Sequence, residues 1–272
     1  MWTIMDLIRN FFTHKDFLPT ANLMPGTLFT PLHFLASAFW VGLIILACFL
    51  LCRKKEKTLQ KVFALLWISV LVLEVVKITW ETCCGATVNF EWGGILPLYP
   101  CSIFMYAMPF AIWGKTKVRF AACGYVCSLG FLGGVINFVY PANILNNYSC
   151  ISFAGFHTLF YHSVLVLCAI LMLMSGYHSY KGITSARQLL LPAIPALAVS
   201  VIANLANFSP INSDYMFFKL NSFFFAPIGA ATPDWFSVML VYGIYLLIHA
   251  LPYLPFWFSR KIKKPSQKAP LG

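Results

Sequence analysis

Of the nine cysteines in this chain, one sits in a run unlike the rest, Leu96-Pro97-Leu98-Tyr99-Pro100-Cys101-Ser102. Two prolines so close together disturb a helix start, and Pro100 removes a backbone donor just before the thiol. Cys101 therefore reads as a thiol beside open backbone N–H groups near a helix N-terminus. That environment favours a thiolate and can hold an oxyanion. With a histidine as base it gives the Cys/His arrangement of acyl transfer, and His157 and His162 both lie in one later apolar run. Glu74 stands within Leu71-Val72-Leu73-Glu74-Val75-Val76, with Lys77 three residues on, so the two can pair along one helix face. His157 and His162 are five residues apart, on different faces of a helix, which argues against joint metal ligation. No Cys-x-x-Cys or His-x-x-x-His pair has a third ligand, and neither a metal nor any other cofactor is expected. Cys48, Cys52, Cys123, Cys127 and Cys168 read as small hydrophobes in packing, whereas Cys83, Cys84 and Cys150 fall in loops where a disulfide is open.

Elements that could position these groups are seven apolar stretches, each long enough to cross a bilayer at about 20 residues per crossing. They run near Phe29–Leu51, Val62–Trp80, Gly94–Trp113, Phe120–Tyr140, Ile151–Gly176, Leu189–Phe208 and Thr232–Phe258. The expected fold is all-α, a polytopic seven-transmembrane-helix bundle. Lys and Arg gather in alternate loops: Arg53, Lys54, Lys55, Lys57 and Lys61, then Lys115, Lys117 and Arg119, then Lys181 and Arg187, then Arg260, Lys261, Lys263, Lys264 and Lys268. By the positive-inside rule this puts the N-terminus outside and the C-terminus in the cytoplasm. Three segments follow: 1–28 as an extracytoplasmic amphipathic piece, 29–258 as the membrane domain, and 259–272 as a basic cytoplasmic tail. Met1–Phe12 is too short and too interrupted for a signal peptide, and its apolar spacing suits an interfacial helix.

That orientation gives each intramembrane polar residue a depth. His33, Glu74, Tyr99, Cys101, His157 and His162 all fall in the outer half, and Asn137, Asn204, Asn207 and Asp234 stand at outer span ends. Only His249 escapes the layer. Asn137, Asn207 and Asp234 also suit plain helix capping. Ionisable groups in hydrocarbon cost several kcal/mol unless they face a bundle interior, so the layer reads as a polar cavity open to the outer leaflet. A composition 60% hydrophobic and 10% charged, with mean hydropathy +0.78, excludes an ordinary soluble domain. The net charge of +11 belongs to topology and lipid headgroups, with no groove-reading motif for nucleic acid.

Over most of its length the chain resembles the YwaF-type integral membrane proteins, a group that includes the vertebrate transmembrane protein 164 acyltransferase. The resemblance rests on Pro31-Leu32-His33, Glu74-x-x-Lys77, Leu96-Pro97-Leu98-Tyr99-Pro100-Cys101, His162, Asn212-x-Asp214-Tyr215-Met216 and Pro233-Asp234-Trp235. Tyr99 stands where a histidine is usual, and Asp214 where asparagine is. The resemblance implies a lipid acyltransferase of the plasma membrane that passes a fatty acyl chain between a phospholipid and a lysophospholipid. Cys101 would be its nucleophile and His162 its base. His33, Glu74, Lys77, Tyr99, Asn137, His157, Asn204 and Tyr215 would bind substrate or support the pair. A transporter or ligand-binding receptor would use the same outward cavity, with Glu74 as a proton or cation site.

Overall fold

The computed structural model describes residues 2–86, 96–182, 185–209, 213–220 and 233–262. Gly94, Asn212, Thr232 and the tail residues Lys263, Lys264 and Lys268 lie outside them. The described residues are all-α with no strand, and six helical stretches are long and apolar enough to cross a membrane. The short N-terminal helix α1 covers only Ile4–Arg9, less than the Met1–Phe12 expected, and a Thr3/Asp6 capping box fixes its start. Helix α2, Pro31–Leu51, begins where Thr30 accepts from the His33 amide and Pro31 occupies the first turn. Helix α3 is Glu56–Cys83. Expected as a full span from Gly94, the third segment is helical only over Ile103–Trp113 (α4), because Pro97 and Pro100 leave 96–102 in turns. Eleven residues rise about 16 Å, roughly half of a hydrocarbon core.

Helices α5 (Thr116–Tyr125) and α6 (Phe131–Val139) are joined through a π-turn, Val126–Gly130, into one crossing element. Helix α7 is the short Ala142–Leu145, and α8 is Phe153–Met174. A 3-10 stretch, Ala186–Ala193, leads into α9, Ile194–Asn207. Helix α10, Asp234–Ala250, is followed by a 3-10 turn at Leu251–Tyr253 and by α11, Leu254–Ile262.

Helix α8 is the axis of the bundle. Sixteen of its 22 residues are buried against α2, α3, α6 and the π-turn, and a narrow apolar stripe of Phe156, Phe160, Leu167, Ile170 and Met174 is left less covered. Helix α2 is the opposite case: Phe34, Leu35, Phe39, Ile45, Leu46, Phe49 and Leu50 are each more than half exposed. In water that face would be a liability, whereas in acyl chains it costs nothing. The chain is a multi-pass integral membrane protein.

The N-terminal segment closes one end of the α3–α8 pair. The indole of Trp80 donates to the Phe12 carbonyl at 2.7 Å, and the Phe153 amide donates to the Phe11 carbonyl at 2.8 Å. Asp16 accepts from the Ala86 amide at 2.8 Å, which holds its carboxyl below the usual carboxylate range. No disulfide joins the described cysteines; Cys83 and Cys84 are exposed, and Cys150 is buried, its thiol pushed up to about 11 by burial.

Candidate functional site

Glu74 projects from α3 into the bundle and is only 8% exposed. An isolated carboxylate there would cost several kcal/mol, so its partners decide whether it can stay charged. His157 Nε2 on α8 lies 3.1 Å from one oxygen, and Lys77 Nζ lies 3.8 Å from the other. Lys77 also reaches Glu81 at 3.3 Å, making a charged stripe along the last turns of α3. The expected pairing with Lys77 is present. Pairing with His33 is not: His33 Nδ1 instead accepts from the Phe29 amide at 3.3 Å, at the N-terminus of α2.

His162 lies one and a half turns further along α8 than His157. Its Nδ1 is 2.7 Å from the Thr158 carbonyl, an oxygen that can only accept, so Nδ1 carries the proton. The lone pair is then on Nε2, which is buried and has no hydrogen-bond partner among the described residues. A neutral imidazole fixed in that tautomer is set up as a base. His157 and His162 do project differently, yet both are buried and both interact electrostatically with Glu74, because each turns away from the uncovered stripe of α8.

Cys101 stands in the turn before α4. Ser102 N donates to the Tyr99 carbonyl at 2.9 Å, Phe104 N to the Cys101 carbonyl at 3.1 Å, and Met105 N to the Ser102 carbonyl at 3.0 Å. The Cys101 and Ile103 amides meet no oxygen acceptor among the described residues. Carbonyls on either side of Cys101 are held by buried tyrosines: Tyr125 donates to Pro100 O, and Tyr161 donates to Cys101 O at 3.2 Å. With these oxygens tied to α5 and α8, donors at the thiol are presented as an oxyanion site requires. The Cys101 side chain interacts electrostatically with Glu74 and Lys77. No hydrogen bond joins it to His162.

Two adjacent glycines of α6 face this region, and close packing requires only Gly134 to lack a side chain. A Cβ on Gly133 would come 4.0 Å from the Cys101 Cβ, and one on Gly134 would come 3.2 Å from the His162 carbonyl and 2.6 Å from Val166 Cγ2. Tyr99 packs edge-on against Tyr215 at 5.2 Å between ring centres, and the Tyr215 hydroxyl accepts from the Leu96 amide at 3.2 Å. Asn207 fixes that tyrosine through both backbone groups, at 2.7 and 2.8 Å, so its role is more than a helix cap.

Glu74 thus interacts with Lys77, His157, His162 and Cys101 in turn, with Tyr99 and Tyr215 beside the thiol turn. Asn137 is apart, its amide donating to the Gly133 carbonyl on its own helix at 3.1 Å. Asn204 is also apart: it bonds Tyr242 at 3.0 Å and lines a surface groove with Val201, Leu205 and Phe208. Tyr125 and Tyr161 were not foreseen, since an apolar run containing a tyrosine gives no sign of where the hydroxyl is aimed.

A model of the TMEM164 family matches residues 28–259, which takes in every group of this cluster. The match bears out the transmembrane protein 164 side of the resemblance, and the wider YwaF-type grouping stays a resemblance. Neither a curated protein nor a solved structure matches the chain.

Proposed function

We propose, for a chain that belongs to the TMEM164 family, a lipid acyltransferase of the plasma membrane that works through a Cys101 acyl-enzyme. The observation that carries this reading is the turn at Cys101, whose neighbouring carbonyls are tied back by Tyr125 and Tyr161 at the open start of a half-length helix. His162 gives the reading its base, with Nδ1 occupied and Nε2 bare.

His162 Nε2 takes the thiol proton, and the Cys101 sulfur attacks the ester carbon of a phospholipid. The C–S bond forms, the C–O bond breaks, and the departing lysolipid oxygen receives the proton back from His162. A second lysolipid then gives its hydroxyl proton to His162, its oxygen attacks the thioester carbon, the C–S bond breaks, and the released thiolate takes the proton back from His162. Amide donors near Cys101 hold the oxyanion in both halves. Glu74, paired with His157 and Lys77, keeps a charge next to the site without exposing it to lipid. In this reading α4 completes a seventh crossing together with the turn before it, the N-terminus is outside, the basic loops are cytoplasmic, and the polar layer opens to the outer leaflet.

Purified protein in phospholipid nanodiscs should form a hydroxylamine-sensitive acyl thioester that is absent from Cys101→Ser. Full acyl exchange by Cys101→Ser rejects the nucleophile, and no acyl exchange by the wild-type protein leaves a carrier or receptor built on the same polar layer.

A further inference from the structure

His249 lies deep in α10, away from the charged layer, and is fully buried. Its Nδ1 is 2.6 Å from Ser128 Oγ, while Nε2 has no partner among the described residues. Ser128 sits in the π-turn of the α5–α6 element, an irregularity that often marks a functional position in a helix. The Ser128 hydroxyl is 2.6 Å from the Gly124 carbonyl and 3.3 Å from the Tyr125 carbonyl. Those oxygens only accept, so the hydroxyl proton goes to them and the Ser128 oxygen accepts from His249 Nδ1–H. The His249 ring also packs against the Tyr125 ring, 5.7 Å between centres. Tyr125 is fully buried and donates to the carbonyl of Pro100, the residue before Cys101.

These contacts form an unbroken chain from α10 through the π-turn and Tyr125 to the carbonyl just before Cys101. We propose that His249 and Tyr125 are positioning residues for Cys101: His249 sets the π-turn through Ser128, the π-turn aims the Tyr125 hydroxyl, and that hydroxyl holds the Pro100 carbonyl away from the sulfur. The Cys101 amide then stays turned toward the thiol. The proposal rests on the reading of Cys101 as nucleophile, but it concerns the reactivity of the thiol and can be measured without any lipid chemistry.

The rate of alkylation of Cys101 by iodoacetamide, followed by mass spectrometry of its peptide in the full-length protein, tests the chain. Tyr125→Phe removes one oxygen and keeps the ring; it and His249→Leu should each slow alkylation roughly tenfold, the scale of effect that misplaced groups near a reacting atom produce. His249→Asn offers an amide N–H in place of Nδ1–H and should restore the rate to within roughly twofold of wild type. His178→Leu, which removes a different buried histidine, controls for general loosening and should leave the rate unchanged. Wild-type or faster alkylation in Tyr125→Phe overturns the proposal, as does His249→Asn reacting as slowly as His249→Leu. If His249→Leu does not fold, Tyr125→Phe decides alone. Absence of an acyl thioester from the wild-type protein would count against the acyltransferase and leave these rates to be judged separately.

Discussion

Among single residues, the two histidines of α8 divide the work. His157 Nε2 lies at ion-pair distance from a carboxylate, 3.1 Å, whereas His162 Nε2 has neither an ion-pair nor a hydrogen-bond partner among the described residues. His162→Ala should therefore reduce acyl-thioester formation by at least about 100-fold, the ordinary contribution of a general base, measured in single-turnover assays. His157→Gln and Glu74→Gln should each impair activity, and the double variant should be no worse than the poorer single one, since they break the same pair. Far from this cluster, His178 lies after α8 and bonds the Tyr253 hydroxyl at 2.7 Å. Burial lowers its pKa from 6.5 to about 4, so between these values the unfolded chain binds more protons than the folded one. Its contribution to stability is complete above pH 6.5 and falls as the pH drops toward 4, by about 1.4 kcal/mol per unit. Melting temperature in detergent should fall over that window, and His178→Leu should flatten the slope; an unchanged slope would remove His178 as its cause.

At the scale of elements, the crossing of α6 over α8 depends on a missing side chain. Gly134→Ala would push a methyl into Val166 Cγ2 and the His162 carbonyl, costing about 1–3 kcal/mol and moving the base relative to Cys101. A lower melting temperature with a loss of activity larger than that of Gly133→Ala, whose Cβ has space, is the expected result. What the sequence made legible follows from chemistry that acts locally. Pro97 and Pro100 announce the break before Cys101, Thr30-Pro31 announces the start of α2, and an isolated Glu74 among Leu and Val must find a buried partner. Partner choice was not legible, because it depends on the rotation of α8 about α3. The stripe of α8 left least buried, Phe156, Phe160, Leu167, Ile170 and Met174, is as apolar as much of its buried surface, so hydropathy does not give that rotation. For the same reason Tyr125, Tyr161 and the Ser128–His249 pair resemble ordinary filling of an apolar run. Spans read as uniform helices proved to contain a π-turn in the fourth and a 3-10 entry to the sixth, changes of pitch to which hydropathy is blind.

For the molecule as a whole, the exposed apolar side of α2 and the alternation of basic loops together give the expected seating. A cysteine introduced at Lys55, between α2 and α3, should be labelled by an impermeant maleimide only after the inner face is opened. Labelling of intact cells would reverse the assignment and with it the depth of every polar group. The N-terminal strap over Trp80 and Phe153 should tighten the bundle, so deletion of residues 2–24 is expected to lower the melting temperature and expose Trp80 to collisional quenching. Helix α4 also has a metric meaning. With Trp113 at one boundary, about 16 Å of helix carries its start to roughly the middle of a 30 Å hydrocarbon layer. The ester of a resting phospholipid lies nearer the headgroups, so the distance it must sink to meet Cys101 is set by the thickness of the sheet around the protein. The protein would then act as a gauge: turnover in nanodiscs of 14-carbon lipids should exceed turnover in 20-carbon lipids of the same headgroup, and equal rates would mean that Cys101 meets its ester at the surface.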